Sequence, residues 1–340
     1  MRRTQNIPAP TSADDLLDSA LIARIGRLDL ASNRIFAGKL KGERRSKKRG
    51  ESVEFADHRP YVRGDDLRHI DWNIYARLDA LFLKLFMEEE DLSLHIVLDA
   101  TESTACGEPN KFHFMQQTAM ALGYVGLTNL NRVAVTAIGG EISGTVATDP
   151  SSSSSSSSST PSGTGFQPVT PNSSSPSPLH TIKDLRGRRR THDLARFLCS
   201  LRPGGNADFG SAAKRIALAR RGRGIMIVCS DFFMKEGYET GLRLLAGRGY
   251  DLFALQVLSP QEVNPDITGD LRLVDIEDGD RAEVTIAAPL LKKYKSTLGT
   301  YCAGLREFCS RREINALTVQ TDTPVDTLLL DYLRRRGVVR

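Results

Sequence analysis

Five short apolar runs, separated by stretches of helical spacing, dominate the chain after residue 92 and restrict it to one class of fold. Leu94-His-Ile-Val-Leu98, Val133–Ile138, Ile225–Cys229, Leu252–Leu258 and Ala316–Gln320 are apolar enough, and short enough, to be strands buried on both faces. Between and after them, apolar residues recur at helical intervals over Phe112 to Leu130, Asp193–Leu201, Phe209–Ala219, Tyr238–Ala246 and Pro289–Cys309. A last helix is expected over Pro324–Arg336, opened by a proline that suits a first turn. Strand and helix in alternation predict an α/β chain with a doubly wound, mostly parallel sheet. A hairpin, Leu271–Ile276 with Ala282–Ile286, is expected to turn through Glu277-Asp-Gly-Asp280.

One segment breaks that rhythm. Ser151 to Pro178 starts with nine serines and continues through Pro161, Pro168, Pro171 and Pro176, a composition that buries too little apolar surface to offset the entropy of ordering it. It reads as a disordered insertion at about 149–179 within one domain spanning 92–340. Residues 1–91 follow a different pattern: a helix near Ser12–Arg24, then strand-like Ser52–Tyr61 and Leu81–Phe86 among several turns, which predicts a smaller, irregular α+β region.

Composition narrows the function classes. No run reaches the ~20 apolar residues a membrane helix needs, and the N-terminus has no secretory apolar stretch, so a cytoplasmic protein without membrane insertion is expected. Five cysteines without a C-x-x-C pair disfavour a disulfide framework and a thiolate zinc site. The net charge of +5 over 340 residues does not point to nucleic acid. The basic run Lys39–Arg49 has no interleaved aromatic on which a base would stack and reads as a solvated loop, although weak nucleic-acid binding through 39–49 is one alternative function.

Chemistry-bearing residues gather in two places. The first is the dense segment from Arg59 to Arg77, where Asp65, Asp66 and Asp71 alternate with Arg59, Arg63, Arg68 and Arg77 around the only tryptophan, Trp72. Its structural reading is a paired network around a buried Trp72, with an aspartate capping a short helix. Its chemical reading is a carboxylate metal or acid/base cluster, which the interleaved arginines oppose by neutralising it.

The second is the set of predicted strand ends, where doubly wound sheets place ligands. The first strand runs into Asp99-Ala-Thr-Glu-Ser103, the Ile225–Cys229 strand ends in Ser230-Asp231, and Gly204-Gly-Asn-Ala-Asp-Phe-Gly210 lies between them. Asp99, Thr101, Ser103 and Asp231, with Asn206 or Asp208 as further oxygens, form a candidate set for Mg²⁺ or Mn²⁺. The alternative is that Asp99 and Asp231 only cap the elements that follow them. There is no G-x-x-x-x-G-K-[ST] loop, G-x-S-x-G elbow or H-E-x-x-H pair, so no catalytic residues are assigned and no nucleotide or organic cofactor is expected.

The D-x-T-x-S arrangement resembles the metal-ion-dependent adhesion site of von Willebrand factor A domains. Asp99, Ser103 and Asp231 match its pattern and Thr101 keeps a hydroxyl; the family threonine falls on or beside Ala207, which lacks one. Upstream, Arg49-Gly-Glu-Ser-Val-Glu-Phe55, Arg59-Pro-Tyr-Val-Arg-Gly-Asp-Asp-Leu-Arg-His-Ile-Asp-Trp72, Ala76-Arg77 and Glu89-Glu-Asp-Leu92 resemble the signature of the domain of unknown function 58 family. That resemblance makes Arg59, Asp65, Asp66, Arg68, Asp71, Trp72 and Arg77 a structural network. It implies a von Willebrand-like scaffold that partners MoxR-type AAA+ ATPases as a non-enzymatic adaptor, with a degenerate adhesion site. A metal-assisted hydrolase using the same oxygens, with Glu102 as its base, is the competing expectation.

Overall fold

The computed structural model describes residues 10, 12–26, 28–30, 55–62, 67, 70–86, 92–143, 178–219, 224–247, 249–274 and 281–338. The chain divides into two compact units, 40–91 and the remainder, 1–39 with 92–340.

The large unit is built on a six-stranded sheet. Its strands are β3 (Ser93–Asp99), β4 (Arg132–Ile138), β6 (Leu179–Leu185), β8 (Gly224–Ser230), β9 (Tyr250–Leu258) and β12 (Asn315–Gln320), in the order β12-β9-β8-β3-β4-β6. Two hairpins are formed by β1 (Phe55–Pro60) with β2 (Phe82–Phe86) and by β10 (Gly269–Val274) with β11 (Arg281–Ile286), and the two-residue β5 (Glu141–Ile142) and β7 (Leu201–Arg202) pair with each other. All neighbours in the large sheet run parallel except β6, which pairs antiparallel with β4.

The apolar runs are continuous because both sheet faces are covered. Every residue of β8 and β9 is buried, and the two-residue period of a strand sends neighbours to opposite sides. Leu94, Ile96, Leu98, Ile225, Ile227 and Cys229 belong to one core cluster, whereas Val97, Met226 and Val228 belong to the other. The first core is closed by α4 (Lys111–Thr128) and α5 (Thr191–Ser200), the second by α6 (Phe209–Ala219), α7 (Glu239–Ala246) and the inner face of α9 (Ala288–Ser310) through Leu305 and Cys309. Of these helices α4 is the most enclosed: 15 of its 18 residues are buried, so it is apolar nearly all round and lacks the stripe of a surface helix.

Two short helices, α1 (Ala13–Leu16) and α2 (Ser19–Ile25), replace the single one expected near Ser12–Arg24. Asp18 separates them because its carboxylate accepts from Ala20 N and so caps the second. Leu16, Leu17, Ile25, Leu28 and Leu30 are buried in the first core, and Asn129 Nδ2 donates to Leu28 O at 2.7 Å. These contacts group the N-terminal residues with the large unit, whereas their sequence pattern had grouped them with the region up to residue 91.

β6 was not expected. Leu179-His-Thr-Ile-Lys-Asp-Leu185 has only two aliphatic positions before its last residue, and as an edge strand most of it stays half-buried or exposed. The hairpin lies slightly earlier than predicted, β10 (Gly269–Val274) with β11 (Arg281–Ile286), and its turn falls outside the described residues. The last helix starts as expected after Pro324, as Val325–Thr327, but continues as a π-helical stretch, Leu328–Leu333. Residues 151–177 of the Ser/Pro-rich insertion lie outside the described residues.

In the small unit β1 (Phe55–Pro60) pairs antiparallel with β2 (Phe82–Phe86), and α3 (Trp72–Leu78) lies between them in sequence. Asp71 begins α3: its Oδ1 accepts from Asn73 N at 2.9 Å and Ile74 N at 3.3 Å. Its Oδ2 meets His58 Nε2 at 2.9 Å and Lys84 Nζ at 3.4 Å, two residues that face each other across the β1–β2 register. The bonds from His58 first, and from the α3 backbone and Lys84, hold the Asp71 carboxyl down at about 2. Asp71 is thus a capping and pairing residue whose partners among the described residues include His58 and Lys84. Trp72 corrects the expectation of a buried tryptophan: it is 61 % exposed and packs edge-on against Tyr75. Asp65, Asp66 and Arg68 lie outside the described residues; Arg59 is on β1 and Arg77 in the last turn of α3.

Candidate functional site

β3 and β8 are adjacent and parallel, so their last residues emerge side by side at one end of the sheet. That places Asp99 next to the Ser230-Asp231 pair although 131 residues separate Ser230 from Asp99 in sequence. Ser230 Oγ donates to Asp99 Oδ2 at 2.6 Å and accepts from Phe232 N at 2.9 Å. Asp99 Oδ1 accepts from Thr101 N at 3.1 Å and from Thr101 Oγ1 at 2.7 Å, and Thr101 Oγ1 lies 3.0 Å from Ser103 Oγ. Four of the predicted oxygen-bearing residues, Asp99, Thr101, Ser103 and Asp231, therefore share one strand-end cluster.

Backbone bonds fasten the neighbouring loops to it. Glu102 N donates to Gly205 O, Gly204 N to Ala100 O and Gly140 N to Gly204 O, each between 2.9 and 3.0 Å. Gly140 has φ +72°, and a Cβ there would stand 2.5 Å from Arg202 O and 2.9 Å from Ala100 Cβ. Only glycine allows that approach. Ala207 also reaches the cluster: a Cβ placed on Gly139 would lie 3.3 Å from Thr101 Cγ2 and 3.4 Å from Ala207 Cβ. Both side chains border Gly139, and the methyl of Ala207 offers no oxygen. Asp208 serves the next helix, with Oδ1 accepting from Gly210 N at 2.8 Å and Oδ2 from the Ser211 hydroxyl. Asn206 is exposed.

The residue that most changes this site is Lys111. Its side chain is 1 % exposed, and Nζ donates to Asp231 Oδ2 at 2.8 Å and to Glu262 Oε1 at 2.6 Å. Burial by itself would favour the neutral amine, but Asp231 and Glu262 outweigh it and raise the pKa, so the ammonium is charged. Glu262 is held in turn by a capping box: Ser259 N donates to its Oε2 at 2.7 Å, and Glu262 N donates back to Ser259 Oγ at 3.2 Å, at the start of α8 (Pro260–Val263). Asp231 Oδ1 accepts from Phe233 N at 3.1 Å. Asp99 behaves differently. Burial, then the charge of Asp231, lift its carboxyl to about 6 against the bonds from Ser230 and Thr101.

Lys111 was missed in the sequence, yet a signal was present. It is the only Lys, Arg, Asp or Glu in the 18 residues of α4, and it sits in the first turn, where the helix dipole disfavours a cation. A lysine kept there needs carboxylates nearby. Glu262 had a signal as well, the Ser259-Pro-Gln-Glu262 spacing of a capping box.

These contacts bear directly on Mg²⁺ or Mn²⁺. The oxygen donors suit a hard cation in type, but Lys111 already neutralises Asp231 from 2.8 Å, and an ion bound to that carboxylate would face a buried ammonium. As arranged, the residues do not fit a divalent ion. Among the described residues no three His, Cys, Asp or Glu side chains are grouped as a metal site.

A mixed α/β scaffold with an oxygen-rich cluster at the ends of its two central strands is the class of protein defined here. The family follows from comparison: residues 57–157 and 178–299 match the model described as "Protein of unknown function DUF58", and the chain belongs to that family. It is 23 % identical over 334 residues to uncharacterized protein Rv1480 of Mycobacterium tuberculosis, which covers 96 % of this chain and 93 % of the relative. It is 30 % identical over 139 residues, 40 % of this chain and 81 % of the relative, to uncharacterized protein MAV169 of Mycobacterium avium. Among solved structures it is similar to the conserved hypothetical protein BatB of Bacteroides thetaiotaomicron, with a TM-score of 0.37 and 11 % identity over 72 % of this chain and 98 % of that one. No helix among the described residues is long and apolar enough to cross a membrane.

Proposed function

We propose that the chain is a non-enzymatic protein-interaction module, an adaptor for a MoxR-type AAA+ ATPase, docking through the loops around Asp99, Thr101, Ser103 and Asp231 on a von Willebrand factor A-like scaffold. The observation that supports this reading is the convergence of the β3 and β8 ends into one fastened cluster, where α/β sheets bind ligands. The hydroxyls of Thr101 and Ser103 are spent on Asp99 and on each other, an arrangement that holds the loops in place. Glu102, Ser103 and the 204–208 loop, half-buried or exposed around the buried carboxylates, are the part of the site within a partner's reach.

The test is a pull-down of a purified MoxR-type ATPase by the full chain and by Asp99→Ala, with circular dichroism to show that the variant is folded. Loss of capture by the folded variant is expected. Undiminished capture would sink the docking role of this face, and Asp99-dependent turnover of phosphoester substrates would replace the adaptor reading with the hydrolase.

A further inference from the structure

We infer that Lys111 supplies the positive charge of the strand-end cluster, so that this chain works without a divalent cation and acquires a cation site only when the lysine is removed. The inference concerns the site proposed above but does not depend on the partner. In the adhesion-site pattern that the sequence resembles, the carboxylates Asp99 and Asp231 would be bridged by a metal ion. Here an ammonium from α4 takes the Asp231 side of that arrangement, bonded to Asp231 at 2.8 Å and Glu262 at 2.6 Å with only 1 % of its side chain exposed.

Three further observations point the same way. The lysine has no other carboxylate in its own helix to serve, because α4 contains no Asp or Glu. It stands at the helix end where the dipole opposes it, so the carboxylates across the cluster are what hold it. Its acidic partners come from the residue that follows β8 and from α8, and Glu262 is fixed by the Ser259 capping box, which makes the ammonium's position a built feature rather than a swinging surface contact. Ala207 completes the picture. Where the pattern would place a threonine ligand, Ala207 presents a methyl beside Gly139, so the cluster has an ammonium where a metal would sit and one oxygen fewer to hold a metal.

The probe is Mn²⁺ alone, with Mg²⁺ as a second ion, titrated by calorimetry into the full chain and followed by thermal unfolding. The wild type should show no saturable heat and no rise in Tm at millimolar Mn²⁺. Lys111→Met, and the polar Lys111→Gln, should gain saturable Mn²⁺ binding of at least tenfold higher affinity than any wild-type response, lost again in the Lys111→Gln, Asp231→Asn double variant. Saturable wild-type binding that disappears in Asp99→Ala would overturn the inference. So would folded lysine variants that bind no more Mn²⁺ than the wild type. Should Lys111→Met fold only when Mn²⁺ is present, the inference is supported; should it fail to fold at all, the wild-type titration and Lys111→Gln decide. Partner capture measured in EDTA separates this from the docking proposal: capture should persist without metal, and its general loss in Asp99→Ala concerns the docking face alone.

Discussion

Asp99 and Asp71 are the same residue in two regions of this molecule, and their surroundings move them in opposite directions. Asp99, at the end of a central strand, accepts hydroxyl and amide bonds but is enclosed beside Asp231, and its carboxyl is raised to about 6. Asp71, at the start of α3, accepts two backbone N–H groups and faces His58 and Lys84, and its carboxyl is lowered to about 2. Hydrogen bonds alone do not decide the direction, since both have them. What differs is the company: Asp71 faces His58 and Lys84, whereas Lys111, the ammonium of the Asp99 cluster, is bonded to Asp231 and Glu262. One site stabilises its charge; the other tolerates it.

Removing the lysine should break that contrast most severely. Lys111→Met leaves the buried Asp231 and the partly exposed Glu262 without their cation, and breaking a buried pair from one side costs about 3 to 5 kcal/mol. Urea unfolding near neutral pH should show that loss. A loss below about 1 kcal/mol, the range of exposed pairs, would mean that the ammonium is not the internal counter-ion the geometry depicts.

A smaller effect concerns the sign of the pH response. Because the folded pKa of Asp99 lies above the ordinary 3.8, the native state holds its proton more tightly than the unfolded chain does. The contribution of this group to stability is therefore fully present below about 4 and declines as pH rises through 6. Asp99→Asn removes that decline, so its Tm difference from wild type should become more favourable between pH 4 and 7; a constant difference would show that Asp99 titrates normally. Asp71 has the reverse sign, stabilising above its unfolded pKa and losing that contribution as pH falls towards 2. Asp71→Ala should lower Tm by a few degrees at neutral pH, with the difference narrowing in acid. Added salt should narrow it too, since the Lys84 partner is partly exposed.

Much of the large unit was legible in the linear chain for a physical reason. Strands covered on both faces have to be apolar throughout, so Leu94–Leu98, Ile225–Cys229 and Leu252–Leu258 announce themselves without knowledge of their neighbours. β6 did not, because an edge strand is covered on fewer sides and Leu179–Leu185 mixes polar with apolar residues. Trp72 misled for a related reason. A lone tryptophan among charges suggests a buried anchor, yet the face a residue presents depends on where its helix lies, and α3 has no buried residue at all.

The candidate site divides along the same line. Sequence alone marked Asp99, Thr101, Ser103 and Asp231, because strand ends can be read from the apolar runs that precede them. The family, too, was written in local motifs. Which charges meet was decided only by the tertiary structure: the parallel pairing of β3 with β8 joins Asp99 to Ser230, and the seating of α4 against the sheet brings Lys111 to Asp231 across 120 residues. Local patterns record what one element demands of its own residues. An ion pair between elements is set by how they pack, and a buried lysine reads in the chain like any other until its carboxylates are in place.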